Sequence, residues 1–255
     1  MISKPLSGRQ SNSPIVAIVG PTASGKTGLA IELAKKHNGE IISADSRAMY
    51  KYADIGTAKP TAEEQQGVVH WGVDLVSPGE KFTVCDFQQY ALGKISDIRA
   101  RGKVPFLVGG SGLYVDSVLY SYNFDSCDKS NAPDRDTISS YFIIVGIATD
   151  KAELRERIKQ RADNFFSDDI LKETQLILDR YGEDSQLARS IIYPIVSRYL
   201  QGEVTLDQAK NLFVQADMKL VKKQLTWFKR NQHISWRTLS EAGSYVDTAL
   251  ATNRV

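Results

Sequence analysis

The stretch GPTASGKT at residues 20–27 has the spacing of a phosphate-binding loop, G-x-x-x-x-G-K-[ST]. Glycines let successive backbone N–H groups turn toward an anion, and the helix that follows adds the positive end of its dipole. Lys26 supplies a mobile cation, and Thr27 supplies a hydroxyl for a phosphate oxygen or for Mg²⁺. The loop predicts a polyphosphate ligand and leaves its identity open; the alternative is a glycine-rich turn without a ligand. The residues predicted to bind it are Gly20, Pro21, Thr22, Ala23, Ser24, Gly25, Lys26 and Thr27.

A second candidate is Asp45, which follows the short apolar run 40–42. A strand there would end near Ser43 and place the Asp45 carboxylate at the carboxyl edge of a parallel sheet, where open α/β folds bind ligands. A carboxylate at that edge can act as a general base when it lies within hydrogen-bond reach of an acceptor's proton. The alternative is an Asx turn, in which Asp45 accepts hydrogen bonds from its own backbone.

These residues must be positioned by an alternation of apolar runs and helical stretches. Apolar runs predict strands at 15–19, 40–42, 68–76, 104–108 and 141–147. Helices are predicted between them at about 26–37, 84–101 and 112–120, and then at 151–161, 167–182 and 205–230. The alternation predicts an α/β fold of the P-loop NTPase-like type, a parallel sheet flanked by helices, with a helical C-terminal part.

The domain is predicted to span 14–255, with its helical C-terminal portion at about 150–231, after a disordered tail at 1–13. The polar segment 121–138 is predicted to be a loop. A net charge of +2 implies that any anion-binding surface is local, because no strong global field is expected. Two cysteines, far apart in the chain, favour a reducing, cytoplasmic setting. No apolar run is long enough to span a bilayer, so no membrane association is expected.

Several motifs in order resemble the tRNA dimethylallyltransferase family, also called tRNA isopentenyltransferases. GPTASGKT is followed by IISADSRAMYKYADIGTAKP (41–60), FTVCDF (82–87) and VPFLVGGSGLYVDSVL (104–119). The similarity continues in LRERIKQR (154–161), YLQGEVTLDQA (199–209) and KKQLTWFKR (222–230). The Asp-Ser pair followed by DIGTAKP is more specific than the P-loop, because other P-loop proteins have no reason to carry it.

The resemblance implies an enzyme that transfers a dimethylallyl group from dimethylallyl diphosphate to N6 of the adenosine next to the anticodon in tRNA, releasing diphosphate. It implies that Lys26, Thr27, the loop amides and Mg²⁺ stabilise the leaving diphosphate, with Thr27 as the metal ligand. Asp45 would accept the proton of N6. Arg161 would bind the diphosphate, and Arg189 is predicted to be catalytic, reaching the diphosphate or the tRNA backbone. The residues predicted to bind the adenosine are Ser43, Asp45, Ser46, Arg47, Ala48 and Ser111.

The anticodon stem-loop of tRNA is the implied macromolecular partner, and a monomer is expected. The long last helix carries basic and aromatic residues that suit an RNA backbone, namely Lys219, Lys222, Lys223, Trp227, Phe228, Lys229, Arg230 and, just beyond it, His233. The same helix carries apolar residues at helical spacing, which indicate a core helix: Leu212, Phe213, Ala216, Leu220 and Trp227.

The chain also departs from the family pattern. The helical insertion that usually follows the Gly-Gly-Ser/Thr region is reduced to the loop 121–138. Asp217-Met218 replaces a Thr-Arg pair ahead of the last helix's basic motif, and 192–195 is more apolar than usual. Three possibilities follow: a minimal tRNA enzyme, an adenine-nucleotide isopentenyltransferase that uses a smaller acceptor, or an inactive paralogue that binds RNA.

A small-molecule P-loop kinase is a further alternative. In that protein Asp74 would hold magnesium, and Arg155, Arg157 and Arg161 would form a lid over ATP. A kinase would leave the DSRAMY and DIGTAKP motifs unexplained, and it would release ADP where the transferase releases diphosphate.

Overall fold

Parallel strands form one six-stranded sheet in the computed structural model, which describes residues 13–124, 138 and 141–252. The strands are β1 Ile15–Val19, β2 Gly39–Ser43, β3 His70–Trp71, β4 Val104–Gly109, β5 Phe142–Ile147 and β6 Ser235–Arg237. Their order in the sheet is β3-β2-β4-β1-β5-β6, and every neighbouring pair is parallel. The predicted P-loop NTPase-like α/β class is therefore confirmed.

Helices cover both faces of this sheet. Within the described residues they are α1 Lys26–Lys36, α2 Ala62–Gln65, α3 Val84–Ala100, α4 Gly112–Leu119, α5 Lys151–Phe165, α6 Asp168–Tyr181, α7 Ile192–Leu200, α8 Leu206–Phe228 and α9 Leu239–Thr252. One core layer packs α1 and α9 against the sheet. The other layer holds α3, α4 and the helices α5 to α8, as the predicted helical C-terminal part requires.

Strand β1 lies at the centre of the sheet and is buried over its whole length. Its side chains alternate between the two layers: Val16 and Ile18 join the α1–α9 layer, and Ile15, Ala17 and Val19 join the other. A strand buried on both faces needs an uninterrupted apolar run, which is why IVAIV is a strong sequence signal. The phosphate-binding loop begins where this strand ends.

Three of the predicted helices, α3, α5 and α8, begin with side-chain capping hydrogen bonds. Thr83 and Asp86 form a capping box at the start of α3, and Thr205 and Gln208 form one at the start of α8. The Asp150 carboxylate accepts hydrogen bonds from the first turn of α5. Each cap satisfies backbone N–H groups that the helix itself leaves without partners.

The strand predicted at 68–76 is wrong over most of its length, since β3 contains two residues. Gly72 and Asp74 have φ values of 85° and 52°, a left-handed conformation that ends the strand. The chain then turns back, and the Leu75 N–H donates to the Met49 carbonyl at 2.7 Å. The apolar residues at 75 and 76 are thus partly buried beside the segment after β2 and not in the sheet.

Helices α2, α7 and α9 and strand β6 were not predicted from the sequence. Strand β6 extends the sheet beyond β5, and α9 returns to pack against α1. The predicted tail at 1–13 lies outside the described residues except for Ser13, and so does most of the loop at 121–138. Among the described helices, none combines the length and apolar character needed to cross a bilayer.

Candidate active site

The phosphate-binding loop connects β1 to α1, as its sequence predicts. Gly25 forms the N-cap of α1 with φ 85°, a conformation that glycine adopts without strain. No side chain caps this helix, so the N–H groups of its first turn are available to an anion. Gly20, Pro21, Ser24 and Gly25 shape the loop but line neither of the cavities described below.

Lys26 lies at the start of α1 with its ammonium folded back over the loop. Its Nζ donates to the Pro21 carbonyl at 3.0 Å. Burial lowers the pKa of Lys26 to about 8, while the nearby Asp45 carboxylate opposes that shift. A buried ammonium with one carbonyl partner is poised to exchange that partner for an anion.

Asp45 follows β2 at the carboxyl edge of the sheet. It is brought there by a close approach between β4 and the segment after β2, since a Cβ at Gly109 would clash with the Ala44 carbonyl oxygen. Asp45 Oδ1 accepts hydrogen bonds from the N–H groups of Arg47 at 2.8 Å and Ala48 at 3.4 Å. The Asx turn therefore forms, and the described residues supply no hydrogen bond to Oδ2. One carboxylate can thus serve both interpretations, with Oδ1 fixing the turn and Oδ2 available for chemistry.

Two cavities meet at the phosphate-binding loop. The larger has a volume of about 660 Å³ and the smaller about 160 Å³. Both are lined by Thr22, Lys26, Asp45, Thr57 and Arg161. A ligand held at these five residues can therefore be approached from two sides.

The predicted adenosine-binding residues are divided between these cavities. Ser46, Arg47 and Ser111 line the larger one, whereas Ser43 and Ala48 line the smaller one. Ser111 Oγ accepts the Ser46 N–H at 2.9 Å, so it fixes the backbone next to Asp45. The structure brings together Asp45, Ser46, Arg47 and Ser111 around the larger cavity. Ser43 and Ala48 line only the smaller cavity.

Helix α8 forms a wall of the larger cavity. Its Gln224 side chain accepts the Thr22 N–H at 2.8 Å and donates to the Gly110 carbonyl at 3.1 Å. One loop amide is therefore already occupied by a side chain of this helix. The Trp227 indole donates to Asp116 at 2.9 Å and anchors the end of α8 to α4. These contacts were missed at the sequence level, although KKQLTWFKR was recognised as a motif.

The predicted core residues of α8 do not all lie in the core. Phe213 is buried there, whereas Leu220 lines the larger cavity together with Lys219 and Lys223. Phe228, which the sequence places with the RNA-facing residues, is fully buried instead. Its position on the inner face of the helix explains the difference.

Two arginines were predicted to reach the ligand, and both line the larger cavity. Arg161 on α5 donates to Thr22 Oγ1 at 2.8 Å, directly above the phosphate-binding loop. Arg189 lies farther out, with 66% of its side chain exposed, and pairs with Asp184 at 2.5 Å. Arg161 is therefore held at the loop, while Arg189 stands at the rim.

The DIGTAKP segment is held in place by Glu173 of α6, a contact the sequence did not reveal. The Glu173 carboxylate accepts the N–H groups of Asp54, Ile55 and Gly56 at 2.8 to 2.9 Å. It also accepts the Tyr193 hydroxyl at 2.8 Å. This clamp positions Thr57, which lines both cavities.

Asp74, the magnesium ligand of the kinase alternative, lies outside both cavities. It pairs with Lys59 at 2.6 Å, and Lys59 also pairs with Asp54. Arg157, a member of the expected lid, donates to the Ala23 carbonyl and pairs with Glu153. The arrangement needed for that kinase site is therefore not assembled around the loop.

Magnesium fits the donor set if the ligand supplies most of the oxygens. The described residues contain no group of three or more histidine, cysteine, aspartate or glutamate side chains arranged to hold a metal. Thr27 lines the smaller cavity, as Asp45 also does. Mg²⁺ characteristically binds few protein oxygens together with phosphate oxygens and water, which suits this sparse site.

Comparison with known proteins decides the family. The tRNA dimethylallyltransferase of Oceanobacillus iheyensis is 33% identical over 281 aligned positions, covering 87% of this chain and 90% of the relative. The chain belongs to the tRNA dimethylallyltransferase family. The family patterns agree, with IPP transferase matching residues 48–140 and 126–231 and isopentenyl transferase matching 13–71.

Solved structures of the family have the same fold. The crystal structure of a tRNA isopentenylpyrophosphate transferase from Bacillus halodurans superimposes with a TM-score of 0.84 at 31% identity, covering 94% of this chain and 97% of that one. One from Staphylococcus epidermidis gives a TM-score of 0.82 at 29% identity, covering 95% of this chain and 100% of that one. The 281 aligned positions exceed the 255 residues of this chain, so the Oceanobacillus relative contains family segments that are absent here.

Proposed function

We propose that this chain transfers the dimethylallyl group of dimethylallyl diphosphate to N6 of the adenosine next to the anticodon in tRNA. The observation that carries the proposal is the convergence of Lys26, Asp45 and Arg161 where the two cavities meet. Two cationic side chains face the position of a leaving diphosphate, and a carboxylate lies beside them. Family membership supplies the substrate class.

The residues divide the reaction into two tasks. As the carbon–oxygen bond breaks, negative charge grows on the departing diphosphate, and Lys26, Arg161 and the first amides of α1 stabilise it. The N6 amine is a weak nucleophile, because its lone pair is delocalised into the purine. Asp45 Oδ2 accepts the N6 proton as the new carbon–nitrogen bond forms, while Oδ1 keeps the carboxylate in place.

Thr27 would hold Mg²⁺ against the diphosphate. When bound, the ion neutralises part of the charge on the leaving group. The larger cavity would receive the adenosine, with Ser46, Arg47 and Ser111 around the base. Arg189 and the lysines of α8 at the cavity rim would contact the backbone of the anticodon stem-loop.

We also propose that the protein acts as a cytoplasmic monomer. One chain supplies Lys26, Thr27, Asp45 and Arg161, so the proposed chemistry needs no residue from a second copy. Light scattering on the purified protein would test the state directly, and a mass of two chains would refute it.

The test is transfer by the purified protein. Unmodified tRNA, dimethylallyl diphosphate and Mg²⁺ are incubated with the protein, and the digested nucleosides are analysed by mass spectrometry. N6-isopentenyladenosine is expected in the tRNA. Its absence with tRNA, together with product on AMP or ADP, would establish the adenine-nucleotide alternative. ADP release from ATP would establish a kinase, and tRNA binding unaffected by Asp45→Ala, without product, would establish an inactive paralogue.

A further inference from the structure

Asp217 places a buried carboxylate in the wall of the larger cavity. It lies on α8, is 4% exposed and lines the cavity together with Lys26 and Arg161. Neither of the two tasks assigned above uses it. A carboxylate is an unexpected group there, because a cavity that binds diphosphate gains nothing from a second anion.

The contacts of Asp217 are incomplete. Its Oδ2 lies 3.8 Å from Arg161 Nη1, and no described residue forms a hydrogen bond with that oxygen. Arg161 Nε is likewise buried without a hydrogen-bond partner among the described residues. Buried polar atoms are rarely left without partners, and both residues line the cavity, where a bound ligand would supply the missing hydrogen bonds.

The charges around Asp217 nearly cancel in the structure. Lys26 at the loop and Arg161 on α5 face it with positive charge, and Asp45 adds a second negative charge. Burial raises the pKa of Asp217, while Arg161 holds that pKa down. An incoming diphosphate would take over the attraction of both cations and would add like charge next to the carboxylate.

We infer that Asp217 takes up a proton when diphosphate binds, so that this residue makes diphosphate affinity depend on pH. The proton comes from solvent and is released again when the diphosphate leaves. The neutral acid can then donate to a phosphate oxygen, whereas the ionised form repels it. This inference rests on the proposed function, because it concerns the same diphosphate site.

The other titratable groups around the cavity are shared by any variant of Asp217. They are Arg47, Tyr114, Arg189, Lys219 and Lys223 in the larger cavity, and Lys59 and His70 in the smaller one. The protons that these groups and the ligand gain or lose on binding are common to both proteins. They therefore cancel when the proton uptake of the two proteins is compared at one pH. Working near pH 6 also keeps Lys26 charged, because its pKa is about 8.

The experiment is calorimetric titration of the full chain with inorganic diphosphate. Near pH 6 it is repeated in buffers of different ionisation enthalpy, which gives the number of protons taken up. The wild type is compared with Asp217→Asn and with a matched control, Asp163→Asn. Asp163 lies on the same α5–α8 interface and pairs with Lys210 at 2.8 Å, away from the cavities. Asp217→Thr is the second variant if the asparagine does not fold.

We expect the wild type and the Asp163 control to take up more protons on binding diphosphate than the Asp217 variant does. At about pH 7, where Lys26 is still mostly charged, the variant should bind diphosphate about 10-fold more tightly than the wild type, and the gap should close as the pH falls. Equal proton uptake and equal affinities in all three proteins would overturn the inference and leave the proposed function intact. No diphosphate binding by any of them would overturn both.

Discussion

Strand β2 carries a carboxylate near each end, and the surroundings of the two differ. Glu40, near the start of the strand, accepts hydrogen bonds from Arg101, Lys103 and the Trp71 indole and is 1% exposed. Asp45, just past the end, lines the cavities; one of its oxygens is committed to its own turn, and the described residues form no hydrogen bond with the other. The first carboxylate is fully paired within the protein, while the second is held in place with a free acceptor.

The comparison distinguishes a carboxylate that stabilises the fold, Glu40, from one that is positioned to accept a proton, Asp45. A carboxylate with three donors is stabilised in its ionised form and cannot readily accept a proton. A carboxylate whose turn is fixed by one oxygen keeps the other available at a defined position. In the proposed mechanism the carboxyl edge of the sheet carries the reaction, while the opposite edge carries an ion-pair network that joins β2 to the residues between α3 and β4.

Asp45→Asn is expected to have the largest effect on activity. The amide oxygen can still accept the Arg47 N–H, so the turn persists while the proton acceptor is lost. Transfer to tRNA should slow by about 100- to 10,000-fold, the range of general-base catalysis. Single-turnover rates measured by nucleoside mass spectrometry check this. An activity within a few-fold of wild type would remove Asp45 from the mechanism.

Lys26→Ala and Thr27→Ala should each slow transfer by about 100- to 1,000-fold, because each removes a group placed at the leaving diphosphate. The substitutions act on the same end of the sheet as Asp45 but on the other substrate. Rates at saturating dimethylallyl diphosphate separate lost catalysis from lost binding. Complete recovery at high substrate would show that these residues only bind the diphosphate.

Glu40 should make stability, and not activity, sensitive to acid. Its hydrogen bonds to Arg101 lower its pKa from 4.5 to about 2 in the folded protein. A carboxylate with a lowered folded pKa stabilises the fold fully above its unfolded pKa, and this contribution is lost as the pH falls from about 4.5 toward 2. The difference corresponds to about 3 kcal/mol.

Glu40→Gln removes that contribution at every pH. We expect a loss of about 1–3 kcal/mol at neutral pH, since an amide can retain part of the network. Denaturant unfolding at pH 7 and at pH 4 measures both effects, and the variant should show less acid sensitivity than the wild type. A Glu40→Gln variant with wild-type stability but impaired transfer would show that the Glu40 end of β2 serves the reaction and not the fold.

Glu173→Gln extends the comparison with Asp45 to a third carboxylate, one that lies near the site and is assigned no part in the chemistry. The amide keeps one acceptor oxygen, so the clamp on residues 54–56 weakens without being lost. We expect a stability loss of about 1–2 kcal/mol, since part of the hydrogen bonding is retained. Transfer should fall only a few-fold, through displacement of Thr57. A loss as large as that of Asp45→Asn would mean that Glu173 acts in the reaction itself.

The parts of the site that lie close in sequence were predictable. The phosphate-binding loop is one local pattern between a strand and a helix, and Asp45 follows a recognisable strand end. The contacts that complete the site join distant segments, such as Gln224 with Thr22 across 202 residues and Glu40 with Arg101 across 61. No local pattern indicates such pairs, because they depend on how the elements pack.

The errors in the fold have local causes. The strand predicted at 68–76 fails because its apolar residues at 75 and 76 pack, partly buried, after a turn and not in the sheet. Strand β6 has three residues, which is too short to give a periodic signal. Asp217 was visible in the sequence as a departure from the family, but its burial beside Arg161 required the packing of α5 against α8.

The most direct test of the central claim compares the two carboxylates of β2 in one assay. Wild type, Asp45→Asn and Glu40→Gln are matched for folded protein and assayed for N6-isopentenyladenosine in tRNA. We predict that Glu40→Gln transfers at close to the wild-type rate while Asp45→Asn forms product at least about 100-fold more slowly. Equal rates for the two variants would contradict the claim that the Asp45 end of the strand carries the chemistry.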